Sequence, residues 1–330
     1  MTDSLRTTAV PDIFIPAKGL ENPHLQTLLP RFLRRKPAFS PVWERLELPD
    51  GDFVDLAWTE NPETAKGKPV AVLFHGLEGC FYSPYAHGLL DAYRRQGWLG
   101  VIMHFRSCSG TPNRHPRSYH SGETGDARFF LETVKNRFPD TRIAAAGVSL
   151  GGNMLVRYLA EYSQDPLVSV ACVVSAPLDL SSCSERIQQG FSKVYQAYLL
   201  GSMKRKLSTK LQRHGEVGRV SGKGKPAIRN IYQFDDMITA PLHGFSDAED
   251  YYRRCSGISV LGNIQIPLKV IHAKDDPFMT DAVIPAHPLP DNIEYQLCER
   301  GGHVGFISGT LRNPEYWLDK AVPAFFTRHL

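Results

Sequence analysis

The chain has 330 residues, of which 42% are hydrophobic, 10% aromatic and 22% charged, and its formal net charge is +4. This composition is typical of a globular protein, and it excludes collagen-like, low-complexity and largely disordered chains. The apolar runs are too short for a membrane-spanning helix. Because residues 1–10 lack the basic and apolar regions of a secretory signal, we expect a cytoplasmic protein.

Cysteine spacing and charge distribution bear on whether the chain binds a metal, forms disulfides or contacts lipid or nucleic acid. The six cysteines show no C-x-x-C spacing, which indicates reduced thiols, with neither a zinc knuckle nor a disulfide framework. Residues 204–229 hold nine Lys and Arg against one acid, Glu216. This stretch is either a surface that contacts anionic lipid or nucleic acid or a solvated loop, and its Gly and Lys content favours the loop. We predict no nucleic-acid partner, since no recognised binding module accompanies it.

The order of apolar segments predicts an α/β architecture. Residues 1–40 are interpreted as an N-terminal extension, and two alternating runs around Pro49-Asp50-Gly51 predict a β-hairpin over 43–58. Short apolar runs separated by amphipathic stretches then predict parallel strands with crossover helices. The predicted strands are 70–74, 99–104, 142–147, 167–174, 268–272 and 293–298. The predicted helices are 85–96, 122–137, 150–162 and 315–328.

The alternation of one strand with one helix is interrupted between the fourth and fifth of these strands. There, residues 175–267 intervene where a single helix would suffice. The break predicts a core of 41–174 and 268–330 with a mainly helical cap insertion. Within the cap we predict helices at 185–200 and around 247–254, separated by the basic loop.

A G-x-S-x-G motif is the strongest chemical signal. Gly147-Val148-Ser149-Leu150-Gly151 follows an apolar strand and opens a helix, which is the context that a nucleophile elbow requires. The serine of such an elbow sits on a strained turn, so the residues two positions away must lack side chains. The sequence therefore predicts Ser149 as a nucleophile at the positive end of a helix.

A serine nucleophile needs a base, which in this arrangement follows an acid late in the chain. His303 lies in Gly301-Gly302-His303-Val304-Gly305, directly after the last predicted strand, and is the predicted base. His272 and His104 are the alternatives, since each ends a strand.

The acid is expected in the loop after the preceding strand, where Asp275 and Asp276 are adjacent. The proline that follows favours Asp276 as the acid, with Asp275 bracing the loop. If both aspartates only shape the turn, Asp179 is the alternative acid.

An oxyanion hole needs two backbone N–H groups, one of them from the residue after the nucleophile. Leu150 supplies that group. The turn His75-Gly76-Leu77 follows a strand and points to the N–H of Leu77 as the second. Arg106-Ser107-Cys108-Ser109-Gly110, after the next strand, is interpreted as scaffold.

Together these residues predict an α/β-hydrolase fold, with a mostly parallel central sheet flanked by helices. The predicted activity is cleavage of carboxylic esters through an acyl-enzyme, with short- or medium-chain acyl esters or lipid-like esters as substrates. The chemistry needs neither a metal nor an organic cofactor, and the sequence holds no P-loop, no G-x-G-x-x-G after a strand and no H-E-x-x-H. A thioesterase or acyltransferase of the same fold, and a binding protein without activity, are the alternatives.

The chain also resembles the YheT-type hydrolases, a bacterial branch of the α/β-hydrolases related to eukaryotic lipases and phospholipases. The similarity spans nearly the whole length. It rests on seven motifs, at residues 22–27, 75–79, 104–110, 119–124, 147–153, 275–278 and 301–306. The resemblance implies a charge-relay set at Ser149, Asp276 and His303 and general carboxylesterase chemistry.

Overall fold

A sheet of eight strands organises the structure, a computed structural model that describes residues 13–222 and 227–330. The strands are β1 Val42–Glu47, β2 Phe53–Trp58, β3 Val70–Phe74, β4 Leu99–Met103, β5 Ile143–Val148, β6 Val170–Val174, β7 Glu216–Val217, β8 Val220–Ser221, β9 Leu268–Ala273, β10 Ile293–Cys298, β11 Ile307–Gly309 and β12 Pro314–Tyr316. The sheet order is β1-β2-β4-β3-β5-β6-β9-β10, while β7–β8 and β11–β12 form separate pairs. The pairs β1–β2 and β2–β4 are antiparallel, and the remaining pairs of the sheet are parallel.

Helices connect these strands. They are α1 Pro23–Leu28, α2 Pro30–Leu33, α3 Pro84–Arg95, α4 Gly125–Arg137, α5 Leu150–Glu161, α6 Leu180–Arg186, α7 Ser192–His214, α8 Ile231–Phe234, α9 Ala240–Leu242, α10 Ala248–Cys255 and α11 Leu318–Thr327. A π-helical turn, Asp235–Thr239, joins α8 to α9, and 3₁₀ turns occur at Ile258–Asn263 and Asp281–Val283. Within the described ranges, each helix is too short or too polar to cross a membrane.

The core lies on both faces of the sheet because successive side chains of a strand point to opposite sides. On β3, Val72 and Phe74 pack in the cluster that includes α4 and α5. Leu73 points the other way and packs with residues of α3 and α11. Burial on both faces explains why the parallel strands have continuous apolar sequences.

The strand order places the site. β3 has β4 on one side and β5 on the other, so the connections leaving β3 and β5 diverge at this point. In open α/β sheets, ligands bind in the crevice at the carboxyl ends of strands where the order reverses. The loops after β3 and β5 are therefore the expected walls of a binding crevice.

Most sequence-based predictions for the core are confirmed. The hairpin and all six predicted parallel strands are present, and each strand end lies within three residues of the prediction. The helix predicted for 315–328 begins only at Leu318, because residues 314–316 pair with β11.

The predictions for 175–267 need correction. The single helix predicted for 185–200 is two helices, α6 and α7, separated by Gly190 at a φ of 52°. The basic stretch predicted as a loop is helical up to His214. Packing stabilises this helix, α7, because its apolar residues lie in one buried cluster: Leu200, Met203, Leu207 and Leu211. The helix predicted around 247–254 is confirmed as α10. The boundaries between core and cap stay a prediction.

A buried arginine anchors the loop after β4, the segment interpreted from its sequence as scaffold. The Arg106 side chain is 2% exposed and donates two hydrogen bonds of 2.7 Å to Asp126. It also contacts Asp50 at 2.7 Å and Asp52 at 3.2 Å, which ties this loop to the β1–β2 hairpin. Phe105, which precedes Arg106, donates its N–H to Nε2 of His75 at 3.0 Å. This hydrogen bond connects the loop after β4 to the loop after β3.

We expect Arg106→Gln to lower the free energy of unfolding by about 3–5 kcal/mol, because it leaves buried carboxylates without a cation. Urea unfolding followed by circular dichroism measures the loss. The control is Arg253→Gln, whose side chain is 72% exposed and should matter by less than about 1 kcal/mol. Equal losses in the two variants would contradict the structural role of Arg106.

Candidate active site

Ser149 lies on a strained turn between β5 and α5. Its φ of 52° and ψ of −121° are unusual for a residue with a side chain. A Cβ on Gly147 would lie 2.5 Å from the Gly151 carbonyl oxygen, and one on Gly151 would lie 2.5 Å from the Phe74 carbonyl oxygen. The glycines of the motif are therefore required by close backbone approach, as predicted.

Three side chains from distant parts of the chain form one hydrogen-bonded series. His303 Nδ1 lies 2.9 Å from Asp276 Oδ2, and His303 Nε2 lies 3.1 Å from Ser149 Oγ. Because a carboxylate only accepts hydrogen bonds, Nδ1 of the neutral ring carries the proton and Nε2 accepts from the serine hydroxyl. The Asp276 side chain is fully buried, and its other oxygen accepts the N–H of Phe278 at 2.8 Å.

The two alternative histidines, His104 and His272, have structural roles. His104 accepts the N–H of Phe81 at 2.9 Å through Nε2, and its Nδ1 lies 2.9 Å from the Asp55 carbonyl oxygen. His272 is buried and stacks on Tyr295, with ring centroids 5.7 Å apart. Burial lowers the pKa of both histidines to about 4. Neither contacts Ser149.

The remaining aspartates have structural partners. Asp275 Oδ1 accepts the N–H of Gly302 at 2.9 Å, so this residue braces the loop that carries His303. Asp179 caps α6 by accepting the N–H of Ser182 at 2.9 Å.

The two predicted N–H donors flank Ser149. Leu150 is the first residue of α5, so its N–H has no acceptor within the helix. The loop after β3 approaches so closely that a Cβ on Gly76 would lie 3.1 Å from Ser149 Cβ. The N–H groups of Gly76 and Glu78 donate to the hydroxyls of Tyr85 and Tyr119. The N–H of Leu77, between them, has no acceptor within the described chain, and Leu77 and Leu150 line one cavity with Ser149.

Sequence reasoning missed the residues that hold this loop. Glu78 has a φ of 58°, and its Oε1 accepts hydrogen bonds of 2.9 Å from both Tyr119 Oη and Lys206 Nζ. Lys206 lies on α7, in the stretch predicted as a solvated loop. The leucine spacing of α7 could have revealed the helix, but nothing in the sequence links Lys206 to Glu78 across 128 residues.

Sequence reasoning also missed the role of α1. Gln26 is fully buried, and its amide donates to the Ile307 carbonyl at 3.0 Å and accepts the Ile307 N–H at 2.7 Å. Thr27 Oγ1 accepts the N–H of His303 at 2.9 Å. Helix α1 therefore braces the histidine loop from outside the sheet, and the interpretation of residues 1–40 as an extension stays a prediction.

A cavity of about 1010 Å³ opens above Ser149. Its floor comes from the loops after β3, β5 and β10, and its walls include Tyr195, Met203 and Phe234 from the segment between β6 and β9. A volume of this size accommodates a ligand larger than a short-chain ester.

One group of side chains within residues 13–222 and 227–330 has the spacing to hold a metal ion: His120, Glu123 and His243. Glu123 Oε2 lies 3.7 Å from His120 Nε2 and 3.9 Å from His243 Nδ1. The same oxygen accepts a short hydrogen bond from the Arg117 guanidinium. Because that cation already neutralises the carboxylate, we assign no metal to the group.

The fold and this geometry define the class of protein. Residues 69–310 match the family model described as the alpha/beta hydrolase fold, so the chain belongs to the α/β-hydrolase family. It is 53% identical over 318 residues to "Putative esterase YheT" of Escherichia coli, covering 96% of this chain and 94% of that protein. The resemblance drawn from the motifs is thereby confirmed.

More distant relatives agree on the fold. The chain is 27% identical over 307 residues to the protein named phospholipase ABHD3 of Mus musculus, covering 91% of this chain and 74% of that one. The solved structure of the Pyrococcus furiosus esterase Pf2001 matches with a TM-score of 0.56 at 17% identity, covering 88% and 92% of the two chains.

An unpaired carboxylate lies in the cavity wall. Asp235 is buried, and its partners are the hydroxyls of Thr239 at 2.7 Å and Tyr252 at 2.8 Å. Among the described residues no cation pairs with it. Burial raises the pKa of Asp235 from 3.8 to about 6. Ionisation of this group therefore opposes folding, and the opposition grows as the pH rises from 3.8 towards 6 and is complete above it.

Replacing this carboxylate by an amide should remove the effect. As the pH rises from about 3.5 to about 7.5, we expect the unfolding free energy of Asp235→Asn to gain about 2–3 kcal/mol relative to the unsubstituted protein. Urea unfolding at both pH values measures the difference. Asp140→Asn, at an exposed position, should show no such trend. A pH-independent difference for Asp235→Asn would contradict the burial of a charge.

Proposed function

We propose that this protein is a serine esterase that hydrolyses carboxylic esters by two-step acyl transfer. The series Asp276–His303–Ser149, with distances of 2.9 and 3.1 Å, is the observation that carries the proposal. Esterase, lipase and phospholipase names among the relatives support the same reaction class.

In the first step, Ser149 Oγ attacks the carbonyl carbon of the ester while His303 Nε2 takes the hydroxyl proton. Asp276 stabilises the imidazolium that forms, because its carboxylate is buried against Nδ1. The tetrahedral oxyanion is stabilised by the N–H groups of Leu77 and Leu150 and by the positive end of α5. Collapse of this intermediate breaks the ester C–O bond, and the leaving alcohol takes the proton from His303.

In the second step, a water molecule attacks the acyl-enzyme. His303 removes a proton from the water as its oxygen bonds to the acyl carbon, and the same two N–H groups stabilise the second oxyanion. The Ser149 oxygen then leaves and regains the proton, which releases the carboxylic acid and restores the starting state. The reaction balances without a metal or an organic cofactor.

The cavity supports medium-chain or lipid-like acyl esters as substrates. Its apolar walls include side chains from residues 175–267, which we propose act as a cap over Ser149. The six cysteines are all free thiols, which supports the predicted cytoplasmic location. A thioesterase is separated from an esterase by comparing turnover of an acyl-CoA with that of a p-nitrophenyl ester of the same chain length.

The nucleophile is tested with a fluorophosphonate probe, which labels an activated serine. We expect Ser149→Ala to abolish labelling and to reduce p-nitrophenyl ester hydrolysis by roughly 10⁴-fold or more, because no other group can form the acyl-enzyme. Ser163→Ala, just beyond the C-terminal end of α5, is the matched control and should keep both properties. Labelling that persists in Ser149→Ala would assign the nucleophile elsewhere, and no labelling of the parent protein would favour a binding protein.

The brace from α1 is tested separately. Thr27→Val keeps the side-chain shape but removes the acceptor for the His303 N–H, so we expect kcat to fall roughly tenfold while KM stays unchanged. Thr209→Val is the control, since the Thr209 hydroxyl also bonds to the carbonyl four residues earlier but accepts no N–H from the His303 loop. A change in KM alone would show that Thr27 acts on substrate binding instead of on the histidine.

A further inference from the structure

Large apolar side chains surround the opening of the cavity. Phe32, Tyr82, Val194 and Tyr198 line the cavity, yet each is between 54% and 60% exposed. A side chain that both lines a cavity and faces solvent lies at its mouth. We call these four residues, with Arg31 and Arg35, the mouth rim.

The apolar surface continues beyond the rim. Phe191, which is 49% exposed, precedes α7, and Leu33, which is 43% exposed, ends α2. His24 of α1 contacts the start of α7: its ring lies 4.5 Å from that of Phe191, and its Nδ1 lies 3.0 Å from Tyr195 Oη. Single exposed apolar residues are common on soluble proteins, but a contiguous patch marks a contact surface.

The charges of the rim are all positive. The Arg31 guanidinium lies 4.7 Å from the Tyr198 ring centroid, and that of Arg35 lies 5.8 Å from the Phe32 ring centroid. Neither arginine pairs with a carboxylate in the described part of the chain. The carboxylates that line the cavity, Glu78 and Asp235, are buried deeper. A rim of this kind is complementary to a surface that is both apolar and negatively charged.

We propose that the mouth rim docks on an anionic lipid surface, with the cavity opening towards the lipid. Aromatic and aliphatic side chains enter the boundary between headgroups and acyl chains, and arginines above them contact anionic headgroups. A second copy of this chain fits less well, since a twofold interface would bring Arg31 and Arg35 of both copies together. Docking would let an acyl ester enter the cavity directly from the lipid layer. The interaction does not require Ser149 to react.

The test uses the full chain with Ser149→Ala, so that binding is measured without turnover. Its cosedimentation with vesicles of phosphatidylcholine alone is compared with that of vesicles containing equal parts of phosphatidylcholine and phosphatidylglycerol. We expect partitioning into the anionic vesicles to be stronger by roughly tenfold or more. Adding Arg31→Gln with Arg35→Gln should remove that preference, and Phe32→Ser with Tyr198→Ser should weaken binding to both kinds of vesicle.

The charge-matched control is Lys66→Gln with Lys135→Gln. These lysines precede β3 and β5, at the sheet edge opposite Ser149, and their loss should leave vesicle binding unchanged. An equal loss in this control would indicate nonspecific attraction and overturn the proposal. So would a loss confined to Lys204→Gln with Arg205→Gln, which would locate the contact in residues 204–229. Light scattering that shows a dimer dissociated by Phe32→Ser with Tyr198→Ser would assign the rim to a second copy instead.

Discussion

The close approach of two backbone turns fixes the geometry of the site. The turn after β5 packs so tightly on the end of β3 that only glycine fits at position 151, where a Cβ would lie 2.5 Å from the Phe74 carbonyl oxygen. The Ser149 N–H donates to the Val174 carbonyl at 2.8 Å, which holds the strained φ in place from the neighbouring strand. A strained residue persists only where its surroundings fix it on several sides. One packing contact therefore positions the serine hydroxyl, the Leu150 N–H and the loop that carries Leu77.

The rest of the site is assembled around this turn from the ends of the chain. The loop of His303 contains Val304 and Phe306 at positive φ, a conformation that its own sequence does not favour. Contacts from outside stabilise it: Asp275 from the preceding loop, and Gln26 and Thr27 from α1. The imidazole reaches Ser149 only when α1, the sheet and the loop after β10 have all come together. Folding and formation of the site are consequently one process.

What could be predicted from the sequence follows from how local each signal is. The parallel strands and the turn at Ser149 were predictable because burial and steric constraints act between residues that are close together in the sequence. His303 and Asp276 were predictable because strand order places both loops at one edge of the sheet. Gln26, Thr27 and Lys206 were not, since their partners lie far away in sequence and their residue types fit many roles. The helix in the basic stretch is hidden by its Lys and Arg content, although the four-residue spacing of Leu207 and Leu211 is typical of a helix.

Part of the positive charge in residues 204–229 is not available to a partner. Lys206 and Lys210 contribute to the basic count of 204–229, yet both point inward. Lys210 Nζ donates to the carbonyls of Pro116 and Arg117 and to Ser118 Oγ, and burial lowers its pKa to about 7. These lysines attach α7 to the core and to Glu78, so part of the positive charge of the protein is used internally. Charge that is free to attract a partner has to be exposed and unpaired, a condition that the arginines at the cavity mouth meet and that Lys206 and Lys210, each held by partners within the protein, do not.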